Sequence, residues 1–378
     1  MQTPIKQVDP MATYLELREE IDAAVKQVLD SGWYVLGAQV ADFESEMAQS
    51  LAVEHCLGVG SGTDALHLAL RTAGIGPGDL VLAPSHTAVA TVAAVELTGA
   101  EALLVDVEPR SFTLDAEKLA ATVAADGEAG RLKAVIAVHL YGHPADLAAV
   151  AAICDEAGLF LIEDCAQAQG AAIGDRAVGS FGDFAAFSFY PTKNLGAFGD
   201  GGALVVRDGQ LAQRAGELRQ YGWRERFVSA EPGMNTRLDE LQAAILRVKL
   251  RALPRHNARR REIAAFYDEQ LASSAVATPA VAAGVVHAYH QYVVRCPQRD
   301  AVMAALDDAD IGYALHYPMP VHQQPAYAGR LVHGEGGLDC TDALSDEILS
   351  LPMYPQLDEE QLHRVCQVLN ASAGKAVS

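Results

Sequence analysis

The sequence predicts an α/β fold: a mostly parallel central sheet with helices on both faces, followed by a smaller C-terminal α+β domain. Three observations carry that prediction. Short apolar runs alternate with longer amphipathic or alanine-rich ones up to about residue 235, the pattern of repeated strand–helix units. Runs such as AVIAV, Ala134–Val138, are apolar on both faces, as strands covered from both sides must be. Beyond that point the alternation stops, and a long arginine-rich helical stretch leads into a region of different texture.

In chain order, the strand candidates are LVLA (Leu80–Ala83), ALLVDV (Ala102–Val107), AVIAVH (Ala134–His139), LFLIED (Leu159–Asp164), FAAFSF (Phe184–Phe189) and ALVVR (Ala203–Arg207). Between them lie helix candidates at Thr63–Ala73, Val89–Thr98, Asp115–Ala125, Asp146–Ala157 and Gln210–Gln220. Leu238–Leu271 reads as one long helix with a candidate break at Pro254. The strand-like HQYVVR (His290–Arg295), a helix near Ala301–Asp308, a proline-rich loop and a last helix from Asp358 complete the second region. The expected division is residues 1–250 for a large ligand-binding domain with an N-terminal helical segment, and 251–378 for the small one.

Composition narrows the function classes. A net charge of −21 argues against nucleic acid or an anionic membrane surface as the main partner. Six scattered cysteines without CxxC spacing point to free thiols in a reducing compartment. No signal peptide is expected, because Asp9, Glu16 and Glu19 interrupt the N-terminal region. No apolar stretch is long enough to span a bilayer, so the expectation is a cytoplasmic protein.

Three segments carry chemistry. SFYPTKNLGAFGDGG, Ser188–Gly202, places Lys193 in a glycine-bounded loop after an aromatic strand. Such a lysine can form a Schiff base where its pocket supplies an electron sink, and pyridoxal 5'-phosphate is such a sink; a surface lysine in a turn is the bland alternative. In EDCAQ, Glu163–Gln167, Asp164 ends an apolar strand, where open α/β sheets place their ligands. A carboxylate there can keep a pyridine nitrogen protonated, or merely cap the next helix. Gln167, three residues on, could reach the cofactor's phenolic oxygen, and Ser188 could hydrogen-bond its phosphate. GSGTDALHLAL, Gly60–Leu70, runs from glycines straight into a helix, either an anion site that includes Thr63 or an ordinary capped helix. Gly58, Gly60 and Gly62 imitate part of a dinucleotide fingerprint, but no second nucleotide-binding half follows. The arginines from Arg214 to Arg261 read mainly as a solvated helix face. His316 and His322, in LHYPMPVHQQPAY, are cleft candidates, and no set of residues has convincing metal-ligand spacing.

Taken together, VGSGTDAL, PSHTAVAT, EDCAQ, the lysine loop, MNTRLDELQAA, HYPMPVHQQPAY and LSLPMYP resemble the DegT/DnrJ/EryC1/StrS family of sugar aminotransferases, a fold-type-I pyridoxal phosphate group, over nearly the whole chain. The resemblance implies a homodimer with active sites at the subunit boundary. It implies Lys193 as covalent anchor and proton shuttle, Asp164 at the ring nitrogen, and Gln167 at the phenolic oxygen. Gly62, Thr63 and Ser188 would bind the phosphate, with Asn235 reaching it from the neighbouring subunit, and Tyr190, Tyr317 and His322 would face the substrate. One departure stands out: the family commonly carries a ring-stacking aromatic where this chain has Ala88, which leaves His86 as the candidate for that face. The reaction implied moves an amino group from L-glutamate to a nucleotide-linked keto-sugar. Tyr190 and the Asp200–Gly202 end of the loop look like members that aminate C3 of a 3-keto-6-deoxyhexose. A 4-keto-sugar aminotransferase is the nearest alternative. A dehydratase would carry histidine in place of Lys193, and a non-catalytic regulatory protein would need a DNA-binding or partner module that this acidic chain does not offer.

Overall fold

The computed structural model describes residues 3–126 and 130–373. Seven strands build the central sheet: β1 (His55–Val59), β2 (Leu80–Pro84), β3 (Glu101–Val105), β4 (Leu132–Val138), β5 (Phe160–Asp164), β6 (Phe184–Ser188) and β7 (Gly202–Val206). Their spatial order is β1-β7-β6-β5-β4-β2-β3, with a two-residue strand, Val332–His333, added parallel at the β3 edge. Only β7 runs against its neighbours β1 and β6. The register sets Val138, Asp164 and Ala186 side by side across β4, β5 and β6, so β4 and β5 finish level and β6 runs two residues further, to Ser188.

Alternation along β4 shows why both faces of the sheet are apolar. Val135 and Ala137 enter the core on one face, while Ala134, Ile136 and Val138 enter the core on the other. Ile136 and Ile162 have no exposed surface, and each such side chain contributes about 1.5–3 kcal/mol of burial. The helices that cover the sheet start where the sequence supplies caps. Ser61 caps Gly62–Thr72, Asp146 caps Leu147–Ala157 and Asp208 caps Gly209–Leu218, each accepting a backbone N–H of its own first turn.

The helix Glu240–Leu271 runs through Pro254 without interruption. Pro254 costs one backbone hydrogen bond, but buried Leu253, His256, Asn257 and Arg260 pin the turns on either side of it. The boundary expected at residue 250 therefore falls inside a continuous helix. A third core begins further along that helix, at Ile263, and joins Tyr267, Tyr292, Val294, Leu349, Leu351, Val365 and Leu369. Ile5 belongs to this C-terminal core as well. Its N–H donates to the Asp310 carbonyl at 2.9 Å, and its own carbonyl accepts from Gly312 N at 2.7 Å. The small lobe is thus built from both ends of the described chain.

Candidate active site

The C-terminal ends of β4, β5 and β6, with the turns after β1 and β2, enclose a cavity of about 240 Å³. Its wall includes Gly62, Thr63, Ala88, Asp164, Ser188 and Lys193. At one end Ser61 caps its helix, with Oγ accepting from Asp64 N at 3.0 Å. The N–H groups of Gly62 and Thr63, the first two of that helix, have no intrahelical acceptor and leave a positive helix end facing the cavity. Side chains are excluded there. A Cβ on Gly62 would lie 2.7 Å from Ser188 Cβ, and one on Gly202 would lie 2.4 Å from the Ser61 carbonyl. The result is a cradle of backbone donors beside the Ser188 hydroxyl, whose chemistry suits a phosphate.

Lys193 projects from a loop fixed at several points. Lys193 N donates to the Tyr190 carbonyl at 2.8 Å and Ala197 N to the Phe189 carbonyl at 2.7 Å. From the long helix, Gln242 Oε1 accepts from Phe198 N at 2.8 Å, Lys249 Nζ donates to the Gly196 carbonyl, and Asn257 Oδ1 accepts from Asn194 Nδ2 at 2.9 Å. Withdrawal from water lowers the Lys193 amine to about 8, against the opposing pull of Asp164. Asp164 is held just as firmly. Oδ2 accepts from Thr91 Oγ1 and Oδ1 from Ala166 N, both at 3.1 Å. Burial pushes its carboxyl up, while those two donors and Lys193 draw it back.

Behind Asp164, Glu163 points to the other side of the strand and is fully satisfied. It accepts from Gly179, Phe181 and Gly182 N at 2.7–2.8 Å and from His139 Nε2 at 3.1 Å. His139, Glu163 and Cys165 form a compact buried trio, but these bonds and the one from Ala145 N to His139 Nδ1 already occupy the ligand atoms of the first two.

The other sequence candidates divide. Gln167 Oε1 accepts from Tyr141 N at 2.8 Å, which turns its Nε2 toward Tyr317 OH at 2.9 Å. Tyr190 is half exposed and lines the cavity. His86 lies outside the cavity lining, buried against Tyr141 and Phe112; its Nε2 lies 2.7 Å from Tyr141 OH. Thr87 and Ala88 form the wall in front of it. Asn235 is exposed, bridged to Gln220, and is not among the residues lining its own chain's cavity. His322 is paired with Asp342 at 2.9 Å, outside the lining residues. Most of the arginines in this stretch form ion pairs, among them Arg214–Glu231, Arg219–Glu44 and Arg247–Glu46, while Arg260 donates to the Tyr289 and Met353 carbonyls. Sequence reasoning missed Thr91, Tyr141 and His290. Tyr141 carried a faint signal, as a tyrosine held at φ 60° before Gly142, a left-handed conformation that tends to mark functional sites.

The family model for DegT/DnrJ/EryC1/StrS aminotransferases matches residues 15–370. The chain belongs to this family. Two relatives set its neighbourhood. One is the erythromycin biosynthesis sensory transduction protein EryC1 of Saccharopolyspora erythraea, 46% identical over 97% of this chain and 99% of its own. The other is the dTDP-3-amino-3,4,6-trideoxy-alpha-D-glucose transaminase of Streptomyces venezuelae, 45% identical over 95% and 93%. Further transaminases at 36–42% identity are likewise named for 3-amino, 3-dehydro or 3-oxo sugars joined to dTDP or UDP. Among solved structures, a family aminotransferase from Brucella abortus superposes with a TM-score of 0.95 at 38% identity, covering 98% of this chain and 100% of that one. The protein is a sugar aminotransferase that uses pyridoxal phosphate. This aminotransferase fits the cofactor on its own geometry: a phosphate cradle at one end, an amine withdrawn from water, and a carboxylate anchored at the end of β5.

Proposed function

We propose that this aminotransferase moves an amino group from L-glutamate to C3 of a 3-keto-6-deoxyhexose linked to a nucleoside diphosphate. The half-buried Lys193 amine, largely withdrawn from water and under the pull of Asp164, supports the reaction class. The names of the dTDP- and UDP-sugar relatives support the carbon atom. Bound pyridoxal phosphate supplies the electron sink that makes the donor's α-hydrogen acidic. Lys193 Nζ is the group that would hold the cofactor and, as a free amine, would take up and return the donor's α-proton. An amine lowered to about 8 can both take and return a proton near neutral pH. Asp164, fixed by Thr91 and Ala166, pairs with the ring nitrogen and keeps it protonated. Gln167 offers its N–H to the phenolic oxygen, since Tyr141 N holds the other end of the amide. Gly62, Thr63 and Ser188 receive the phosphate. Asn235 completes the phosphate site from the second copy of a homodimer, consistent with its exposure outside the lining of its own cavity.

The test is a panel of dTDP- and UDP-linked 3-keto and 4-keto sugars offered with L-glutamate to the reconstituted enzyme, with amino-sugar products identified by mass spectrometry. Turnover confined to 3-keto substrates is expected. Turnover of the 4-keto sugars alone would move the reading to C4, and no turnover with glutamate would remove it as the donor.

A further inference from the structure

His290 has no part in the roles above, yet its Nε2 lies 3.5 Å from Lys193 Nζ. The ring is buried at the entry to the strand Tyr292–Arg295. A chain of amides determines which ring nitrogen carries the hydrogen. Asn257 Nδ2 donates to the Gln169 carbonyl at 2.8 Å, which turns Asn257 Oδ1 toward Asn194. Asn194 Nδ2 donates to that oxygen and to the Ala288 carbonyl, both at 2.9 Å. The atom left facing His290 Nδ1, 3.3 Å away, is Asn194 Oδ1, and an oxygen there requires Nδ1 to be protonated. On the far side, Gln7 Nε2 donates to Gln291 Oε1 at 2.7 Å, leaving Gln291 Nε2 to donate toward His290 Nε2 at 3.4 Å. His290 Nε2 therefore meets donors only.

The surrounding charges agree with a neutral ring. Burial holds His290 well below its usual range, and the charges of Lys193 from the loop, Arg260 from the long helix and His316 add to it. Asp164 is the acid on the Lys193 side.

We propose that His290 is a positioning residue of the transamination: its unprotonated Nε2 receives the Lys193 amine whenever that amine is free and holds it at the cavity wall. The inference rests on Lys193 as the cofactor anchor. A lysine freed from covalent attachment has a long, flexible stem, so a rigid acceptor within a small rotation of Nζ shortens its search for the reacting carbons. Asn194, adjacent to Lys193 in sequence, ties the acceptor to the same loop that carries the amine.

The measurement is the pH dependence of Lys193 labelling by an amine reagent in the cofactor-free protein, read by peptide mass spectrometry. An acceptor favours the ammonium over the amine, so His290→Phe should lower the labelling midpoint by about 0.5–1 pH unit. His290→Gln, which returns an amide oxygen to that region, should restore most of the shift. In the loaded enzyme His290→Phe should slow the half-reaction with L-glutamate by about tenfold or more and leave the visible band of bound cofactor in place. An unmoved midpoint in folded His290→Phe overturns the proposal, and so does a shift that His290→Gln fails to reverse. If the phenylalanine variant does not fold, the wild type decides through the imidazole nitrogen shifts of ¹⁵N-histidine-labelled protein. The Nδ1–H tautomer at His290 supports the assignment and the Nε2–H tautomer overturns it. Failure of the underlying reading looks different: Lys193→Ala would then keep the cofactor's visible band.

Discussion

Asp164 and Lys193 each carry a charge that burial opposes, and each draws the other back toward its ionised form. Lys193→Ala should fold normally but show no covalent cofactor band, a result checked by absorbance after reconstitution. Asp164→Asn should retain cofactor and lose about 100-fold or more in the rate of the glutamate half-reaction, measured in single turnover. Near-normal turnover would show that the ring nitrogen is managed by another group. Residues at this scale were legible when they shared a short motif with a strand end. Asp164, Gln167, Ser188 and Lys193 converge because β5 and β6 are neighbours. Thr91, Tyr141 and His290 reach the site from the helix after β2, the turn after β4 and the small lobe, so no local pattern joins them. His86 was read toward the cavity, yet the structure sets its ring behind Ala88, against Tyr141.

The long helix is the element that holds the lysine loop. Gln242, Lys249 and Asn257 are spaced by about two turns each and so share one face, from which they grip Phe198, Gly196 and Asn194. Lys249 carries the stiffest cost, since burial lowers its amine to about 8 with only a carbonyl as hydrogen-bond partner. In cofactor-free protein both Lys193 and Lys249 sit near 8 against an ordinary 10.5, so the unfolded chain binds more protons between those values. The stability they contribute is full above 10.5 and is lost as pH falls through 8, with an upper bound of about 3 kcal/mol each. Melting temperature measured from pH 7 to 10 should therefore rise through this part of its profile, and Lys249→Met should flatten the rise by about half. An unchanged slope in that variant would mean that Lys249 is solvated in the protein. Most elements were legible from apolar runs, whereas β1 was not. His55–Val59 is short, mixes histidine, cysteine and glycine, and pairs only with β7. Pro254 misled in the opposite sense, because anchored turns on both sides outweigh one lost hydrogen bond.

Across the whole molecule, the N-terminal helices Pro10–Glu16 and Arg18–Ser31 and the turn after them leave large apolar side chains in water: Leu15 is 58% exposed, Leu29 54% and, in the turn, Trp33 64%. An apolar groove lined by Met11, Tyr14, Val25, Leu29 and Phe198 lies among them, and Phe198 belongs to the lysine loop. Exposed apolar surface of this kind is what the proposed homodimer would cover. The expected assembly is a dimer of twice the 40.0 kDa chain, measured by sedimentation, with Trp33→Asp driving it toward monomer and reducing activity. A fully active monomer would instead place the whole site on one chain. Overall class was the most legible property of all, because binary patterning acts on every strand at once. The lobe boundary was the least legible, because one helix serves both lobes.

The lacing of Ile5 into the C-terminal core carries a consequence for synthesis. Ile5 waits on the Asp310–Gly312 turn, Thr3 on Arg364, and the core itself on Leu369. The large sheet can assemble on a nascent chain as its strands emerge, but the small lobe stays unlatched until the final helix has cleared the ribosome. His290, which the small lobe brings to 3.5 Å from Lys193 Nζ, is therefore among the last groups to reach the site, and a stalled or truncated product would present the phosphate cradle without it.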